Sequence, residues 1–360
     1  MRTRPRAIDP SAHRAGRPGR WQQSTVALAL LMLATCLAGC SDPNDRVLEI
    51  SGPTMGTFYS VKVARPPADL TAPTLQAKVE AALAGVIAEI STYAPDSELS
   101  RLNDNADTGW LPISANLRDL IAAGLRLSEL SGGAFDITVG PLVNLWGFGP
   151  HPQPDTAPDD DSVAAALERV GYRKLALRTE PPAIQRARGD LYIDLSALGE
   201  GYGAKQVAAV LEAEGLADYM VAIAGAIRVK GRNARGEPWA IAIEEPTPGR
   251  RIVHRIIKIS DGALSTSGDY RNFFEEGGQR YSHEIDPTTG RPVRHRLASV
   301  TVVDSDAVRA DGLATTLMVM GDEKGPALAE KEGIPAYFII REDDGLKGVA
   351  TPAFLPYLVE

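Results

Sequence analysis

Strand-like and helix-like segments are interleaved along this chain, and several strand-like segments follow one another with no helix between them. Val47–Ile50 and Phe58–Val63 form one such pair, and 239–243 and 252–259 form another. Antiparallel neighbours need only a short turn, whereas parallel neighbours need a long crossover. The pattern therefore predicts an α+β fold of mixed, largely antiparallel sheets with packed helices, and it disfavours a doubly wound parallel sheet.

Helix signals flank these strands. The apolar residues of the segment 71–92 recur on one stripe, and Thr71 is its predicted cap. Ser114 is the predicted cap of a second helix, which should stop at Gly132-Gly133. Leu191–Leu195 is predicted to be a strand that runs into a glycine-containing turn and a third helix. Further strands are predicted at 219–229, 298–303 and 335–340.

The first 39 residues have the pattern of a bacterial lipoprotein signal peptide. Six arginines precede Thr25–Leu37, a run of small and apolar residues that is shorter than the roughly 20 residues of a membrane span. The run ends in Leu37-Ala38-Gly39-Cys40, which is typical of a lipoprotein cleavage site; a buried helix ending in Gly-Cys is the alternative. We therefore expect a signal peptide at 1–39, a lipidated tether at 40–46 and one folded domain at 47–360.

Cleavage before Cys40 would make the protein periplasmic and lipid-anchored, at the outer or the inner membrane of a Gram-negative bacterium. It would leave 32 basic and 45 acidic residues, a net charge of −13. Such an acidic surface argues against nucleic-acid binding. With Cys36 removed and Cys40 lipidated, no thiol would remain for a disulfide, a nucleophile or a metal site. The four remaining histidines have no metal-ligand spacing on a helix, which argues against zinc.

Six separated segments combine glycines with polar residues. They are Thr54–Phe58, Gly133–Gly149, Asp194–Tyr202, Ser265–Asn272, Ser282–Gly290 and Ala310–Thr315. In this order they resemble the ApbE family, the periplasmic FAD:protein FMN transferases, from about Leu48 to the C-terminus. The resemblance implies a T-fold-like architecture and Mg²⁺-dependent transfer of FMN from FAD to a Thr or Ser hydroxyl of a target protein, with release of AMP.

The resemblance also implies which residues contact FAD. The matching positions are Met55, Tyr93, Ala134, Phe135, Asp136, Asp194, Glu200 and Ile285. The residues themselves support two of these roles in part. Asp136 lies in an apolar run, where a buried unpaired acid would be costly. Asp194 precedes a predicted helix N-terminus, whose amides suit a phosphate, although such turns are more often merely tight.

Asp311 and Thr315 are the candidate metal ligands. They lie four residues apart on a predicted helix and therefore share one face. A carboxylate and a hydroxyl are hard oxygen ligands that suit Mg²⁺, but Asp311 as a helix cap and Thr315 as packing is the alternative. The resemblance adds the carbonyl of Ala197. It also places Ala314 where some members have a second acid, which makes Ca²⁺ or Mn²⁺ an alternative to Mg²⁺.

His283 is the candidate general base. A lone histidine is more often structural, but imidazole can accept a proton near neutral pH. The resemblance places it at the reaction centre, with Asp286 in support. The alternative for Asp286 is that it only fixes the turn that follows. The implied acceptors are subunits of membrane redox complexes, such as sodium-pumping quinone reductases or related electron-transport complexes. The alternatives are an FAD pyrophosphatase and a non-catalytic flavin-binding lipoprotein.

Overall fold

The computed structural model describes residues 46–150, 156–247 and 249–359. The predicted signal peptide, Cys40 and all of the tether except Arg46 lie outside the described residues. Within the described ranges, no helix has both the length and the apolar character that crossing a membrane requires.

Seventeen strands lie in the described part of the chain. They are β1 (Val47–Thr54), β2 (Thr57–Ala64), β3 (Leu111–Pro112), β4 (Leu175–Arg178), β5 (Ala183–Arg186), β6 (Tyr219–Ile223), β7 (Ala226–Lys230), β8 (Trp239–Glu244), β9 (Val253–Ile259), β10 (Gly262–Gly268), β11 (Phe273–Glu276), β12 (Gln279–Ser282), β13 (Ile285–Asp286), β14 (Arg291–Pro292), β15 (Leu297–Asp304), β16 (Ala336–Glu342) and β17 (Gly345–Ala350).

Eight of these strands form the central sheet. Their order is β1-β2-β6-β7-β10-β15-β16-β17, and every neighbouring pair is antiparallel. The predicted α+β fold with largely antiparallel sheets is therefore confirmed. The described strands form an open sheet with β1 and β17 at its edges, and no closed barrel.

Seven α-helices accompany the sheets in the described residues. They are α1 (Ala72–Ile90), α2 (Glu98–Asp104), α3 (Ala115–Leu130), α4 (Gly140–Leu145), α5 (Asp160–Leu167), α6 (Ser196–Ala213) and α7 (Ala307–Lys331). The predicted caps are confirmed, because the hydroxyls of Thr71 and Ser114 accept from the backbone N–H groups of Thr74 and Leu117. The apolar stripe of α1 is buried as predicted.

Helices α1, α6 and α7 cover one face of the central sheet. The opposite face packs against the β8–β9 hairpin and a C-terminal 3₁₀ helix, Pro352–Tyr357, through residues such as Trp239, Ile257 and Phe354. The sheet is thus buried on both faces, and its core residues are mostly β-branched or aromatic.

Two of the predicted strands differ from the structure. Leu191–Leu195 belongs to no sheet, and Asn103 holds it by bonding both the N–H and the carbonyl of Ile193 at 2.8 Å. Its alternation of apolar residues reflects alternate burial, which an extended segment shares with a strand. The predicted strand 219–229 is two strands, β6 and β7, because the chain reverses at Ala224-Gly225, where Ala224 has φ 45°.

Candidate active site

A cavity of about 1190 Å³ lies where the β1–β2 turn, the start of α6, β10 and α7 meet. All six sequence segments contribute to its wall. Twelve of the thirteen residues predicted for the site line it: Met55, Tyr93, Ala134, Phe135, Asp136, Asp194, Ala197, Glu200, His283, Ile285, Asp311 and Thr315. The fold therefore brings together residues from both ends of the domain.

Met55 occupies a strained turn at the cavity wall. It joins β1 to β2 in a two-residue turn, with φ 46° at Met55 and φ 72° at Gly56. Hairpins of this length favour Asn or Gly at both positions because positive φ is required, and a residue with a Cβ pays about 1–2 kcal/mol there. The Met55 side chain packs against both hydrophobic clusters beneath the helices. Strain of this kind is typical of functional sites.

Asp311 is a deeply buried acid of the site, with 6% of its surface exposed. Its Oδ2 accepts from the N–H of Gly201 and its Oδ1 from the hydroxyl of Ser265, both at 2.8 Å. Burial, and then the charge of Glu200, raise the pKa of Asp311 to about 8. Both donors are neutral, so the carboxyl has hydrogen bonds but no compensating positive charge.

Gly201 makes this contact with Asp311 sterically possible. A Cβ on Gly201 would lie 2.2 Å from the carbonyl oxygen of Ala307 and 2.8 Å from the Cβ of Asp311. Glycine therefore allows the first turn of α6 to press against α7 until its N–H reaches the carboxylate.

Glu200 and Thr315 lie on either side of Asp311. Oε2 of Glu200 accepts from the N–H of Gly225 at 2.8 Å, and burial raises the pKa of Glu200. Thr315 lies one helical turn beyond Asp311, and its hydroxyl is 3.3 Å from that of Ser267. The three predicted metal ligands, Ala197, Asp311 and Thr315, thus line one cavity.

His283 is held in one tautomer by its neighbour in space. Its Nδ1 lies 3.1 Å from the carbonyl oxygen of Asn272, and its backbone N–H donates to the same oxygen. A carbonyl can only accept, so in the neutral ring Nδ1 carries the proton and Nε2 keeps a free lone pair. Nε2 lies 3.8 Å from Oε1 of Glu284, a buried acid whose pKa is raised by that burial. The ring of Phe148 lies edge-on to the imidazole, with 6.3 Å between the two ring centroids.

Residues 55–338 match the ApbE family. An FAD:protein FMN transferase from Vibrio cholerae is 46% identical over 333 residues, which cover 92% of this chain and 98% of the relative. The solved structure of the flavin transferase ApbE from Vibrio cholerae superimposes with a TM-score of 0.81 at 44% identity, covering 87% of this chain and 99% of that one. The flavinyl transferase ApbE of Pseudomonas stutzeri, in its apo form, gives 0.79 at 41% identity, covering 87% and 97%.

The chain belongs to the ApbE family. The family resemblance predicted from the six segments is therefore confirmed, and so is the ApbE architecture.

Two carboxylates of this ApbE site already accept hydrogen bonds from protein donors. Asp136 accepts from the N–H and hydroxyl of Thr138 at 2.8 and 2.7 Å and from the N–H of Tyr172 at 2.8 Å. Asp194 accepts from the N–H of Ser196 at 2.8 Å, so that amide at the start of α6 is not free. These bonds hold both side chains in place in the wall, and burial raises the pKa of Asp136.

Asp286 is the one predicted site residue that does not line the cavity of this ApbE chain. Its Oδ1 accepts from the N–H and the hydroxyl of Thr288 at 2.8 and 2.7 Å, and its carbonyl accepts from Gly290. The residue closes the turn between β13 and β14. Tyr93, by contrast, is exposed at the cavity, and its hydroxyl donates to the carbonyl of Phe148 at 3.2 Å.

The cavity wall of this ApbE chain is strongly acidic. The described lining residues include six carboxylates, one arginine and no lysine; the acids are Asp136, Asp194, Glu200, Glu244, Glu284 and Asp311. No group of three or more His, Cys, Asp or Glu in the described part of the chain is arranged to hold a metal by itself. An anionic ligand would therefore need a cation with few protein ligands, or Arg271.

Sequence reasoning missed Arg271, Glu244 and Glu284. Arg271 bonds Oε2 of Glu244 at 2.6 Å. Its signal was present, because it is the one cationic residue in the segment Ser265–Asn272. Glu284 also lay in a quoted segment, directly after His283. Glu244 gave no signal, because it ends an ordinary amphipathic strand and reaches the cavity only through the packing of the β8–β9 hairpin.

Proposed function

We propose that this protein transfers FMN from FAD to a Thr or Ser hydroxyl of a target protein. The observation that carries the proposal is the joint presence, in one cavity, of a buried oxygen-ligand wall around Asp311 and a histidine whose Nε2 is free. Membership of the ApbE family supports it, because the curated relatives are named FAD:protein FMN transferases.

Charge is the reason for proposing a divalent cation. A pyrophosphate would meet six carboxylates and one arginine, and like charges at these distances repel strongly away from water. The carboxylate of Asp311, the hydroxyl of Thr315 and the carbonyl of Ala197 are hard oxygen ligands, and Asp311 has only neutral partners. These residues fit Mg²⁺, with Ca²⁺ or Mn²⁺ as alternatives. A cation bound there would offset the charge on the phosphate oxygens.

His283 is the proposed general base. The acceptor oxygen forms a bond to the FMN-side phosphorus while the bond from that phosphorus to the AMP oxygen breaks. The hydroxyl proton passes to Nε2 of His283, and AMP leaves. Asn272 holds the imidazole in the required tautomer. Asp286 acts indirectly, because it closes the turn that follows His283 along the chain. Arg271 would leave its ion pair with Glu244 and bind a phosphate oxygen.

The flavin is proposed to lie among Met55, Tyr93, Phe135 and Ile285, which give the cavity apolar and aromatic surface. We further propose that the protein is anchored through Cys40 in the periplasm. Its acceptors would then be subunits of membrane redox complexes, such as sodium-pumping quinone reductases or related electron-transport complexes.

Intact mass spectrometry tests the proposal. The purified protein is incubated with FAD, Mg²⁺ and a periplasmic acceptor domain from a sodium-pumping quinone reductase, and a tube without acceptor is assayed for free FMN and AMP. We expect the acceptor to gain one FMN residue. Asp311→Ala should abolish the gain, and Asp190→Ala, which removes an exposed carboxylate that is paired with Arg188 and does not line the cavity, should not.

The rival functions are outcomes of the same experiment. Free FMN and AMP, without any mass gain on the acceptor, would identify an FAD pyrophosphatase. FAD that stays intact in both tubes would leave a flavin-binding lipoprotein and exclude both enzymes.

A further inference from the structure

The β8–β9 hairpin presents an unpartnered surface beside the cavity. Its outer face, called the hairpin face below, consists of Ala240, Ala242, Val253, Ile256, Lys258 and Val359. The register places Ala240 opposite Lys258, Ala242 opposite Ile256 and Glu244 opposite Val253, so these side chains lie on one side of the ribbon. Val359 adjoins Ile256, because its N–H donates to the carbonyl of Ile256 at 3.3 Å.

The hairpin face is unusually apolar for a surface. Val253, Ile256 and Val359 are 56%, 46% and 40% exposed, while the opposite side of the same ribbon, including Ile257, is buried in the core. Leu355, in the adjoining 3₁₀ helix, is 56% exposed. Contiguous exposed apolar groups rimmed by polar residues are typical of a binding surface.

Cations surround these apolar groups. Lys258 is exposed on β9 and forms no ion pair with another described residue, and Arg250 and Arg251 precede the strand. Of the nearby acids, Glu244 is already paired with Arg271 at 2.6 Å and lies 3.7 Å from Arg251. A basic patch on a chain with a net charge of −8 attracts an acidic partner selectively.

The hairpin face continues into the cavity. Ala242 is exposed and lines the cavity together with Ile241 and Glu244. A flat bilayer seated on this face would cover that rim, whereas a protein segment lying along it would lead directly to the cavity. We propose that the hairpin face docks the segment of the acceptor protein that carries the reactive hydroxyl, and that this segment presents acidic and apolar side chains. The inference rests on the proposed function.

Steady-state kinetics of FMN transfer test the docking. Ile256→Asp and Lys258→Glu, singly and together, are compared with Lys324→Glu, an exposed control on α7 at the opposite face of the central sheet. We expect the double variant to raise the KM for the acceptor domain about tenfold, with kcat and the KM for FAD unchanged within about twofold. Added salt should raise the wild-type acceptor KM more than that of Lys258→Glu.

Three outcomes would overturn the docking. The first is an unchanged acceptor KM in a double variant that is folded. The second is an equal rise in the acceptor KM of Lys324→Glu. The third is a double variant that no longer pellets with phosphatidylglycerol vesicles, as the wild-type protein does, but keeps its acceptor KM. That result would assign the face to a membrane instead. The wild-type protein distinguishes a failure of the docking from a failure of the proposed function. If it transfers no FMN at all, the proposed function fails and the docking fails with it; if it transfers FMN and the variants leave the acceptor KM unchanged, only the docking fails.

Discussion

At the scale of single residues, we expect Asp311 to set the pH above which the proposed cation binds. Its pKa is raised to about 8, so below that pH the metal-free protein holds the carboxyl protonated, and a cation must displace the proton. We expect the affinity for Mg²⁺ to be lowest in acid and to rise by about tenfold per pH unit until the pH reaches about 8. Above that value the affinity should level off. Calorimetric titration with Mg²⁺ from about pH 6 to about pH 9 measures this.

Asp311→Asn is the control for that titration, because it keeps the shape but has no proton to lose. It should bind Mg²⁺ weakly and without a pH dependence over the same range. A wild-type affinity that is flat below pH 8 would show that Asp311 is already ionised in the metal-free protein.

Arg271 is expected to act on the transferred phosphate. Arg271→Ala should lower kcat by about 100-fold, the usual effect of losing one donor aimed at developing charge. Arg271→Lys should recover part of the loss, because it restores the charge but not the planar fork. The matched control is Arg228→Ala, which removes an arginine paired at 2.6 Å with Asp261 away from the cavity. Equal losses in both variants would mean that the arginine at 271 is only structural.

Met55 is expected to bind FAD at some cost in stability. Met55→Gly would relieve the left-handed strain in the β1–β2 turn but remove an apolar side chain from the cavity wall. The relief of strain should offset much of the packing that is lost against the two hydrophobic clusters, so we expect the unfolding free energy to change by no more than about 1 kcal/mol, while FAD affinity falls. Chemical denaturation and FAD fluorescence quenching measure the two effects. A variant that loses stability and keeps its FAD affinity would contradict this account.

At the scale of elements, the contact of α6 with α7 builds the Asp311 wall. Gly201→Ala would place a Cβ 2.2 Å from the carbonyl of Ala307, which separates the helices and withdraws the N–H from Asp311. We expect a loss of about 1–3 kcal/mol in unfolding free energy together with weaker Mg²⁺ binding.

Gly199→Ala is the matched change in the same turn of α6, where a Cβ would meet only Ile90 at 3.6 Å. It should keep the unfolding free energy or raise it, because alanine favours the helix. Similar losses in both variants would show that the helix tolerates no Cβ here for a reason other than the contact with α7.

At the scale of the whole molecule, the cavity joins elements that are distant along the chain. Its wall includes the β1–β2 turn near one end of the domain and α7 near the other. FAD at a hundredfold excess over its Kd should therefore stabilise the entire domain by about 2.7 kcal/mol and shift one cooperative melting transition upward. Mg²⁺ added with FAD should increase the shift. Two transitions, of which FAD moves only one, would contradict this picture; calorimetry with and without FAD distinguishes the two results.

Local sequence patterns determined many of the helices and strands of this protein. The caps Thr71 and Ser114, the stripe of α1 and the adjacent strand pairs are short-range signals, because capping and side-chain periodicity depend only on neighbouring residues. The resemblance of the six segments to one family predicted site residues, and nearly all of them line one cavity. The roles proposed for His283 and Asp311 came from the family resemblance, because a lone histidine or an acid at the start of a helix is by itself more often structural.

Tertiary structure alone decided how each side chain is used. The sequence could not show that Leu191–Leu195 lies outside any sheet, because an extended segment and a strand bury alternate residues alike. Nor could it show that Asp286 turns away from the cavity, or that Glu244 and Arg271 meet across 27 residues. Hydrogen-bond partners, pKa shifts and shared cavities arise from contacts between residues far apart in the chain, and no local pattern records those contacts.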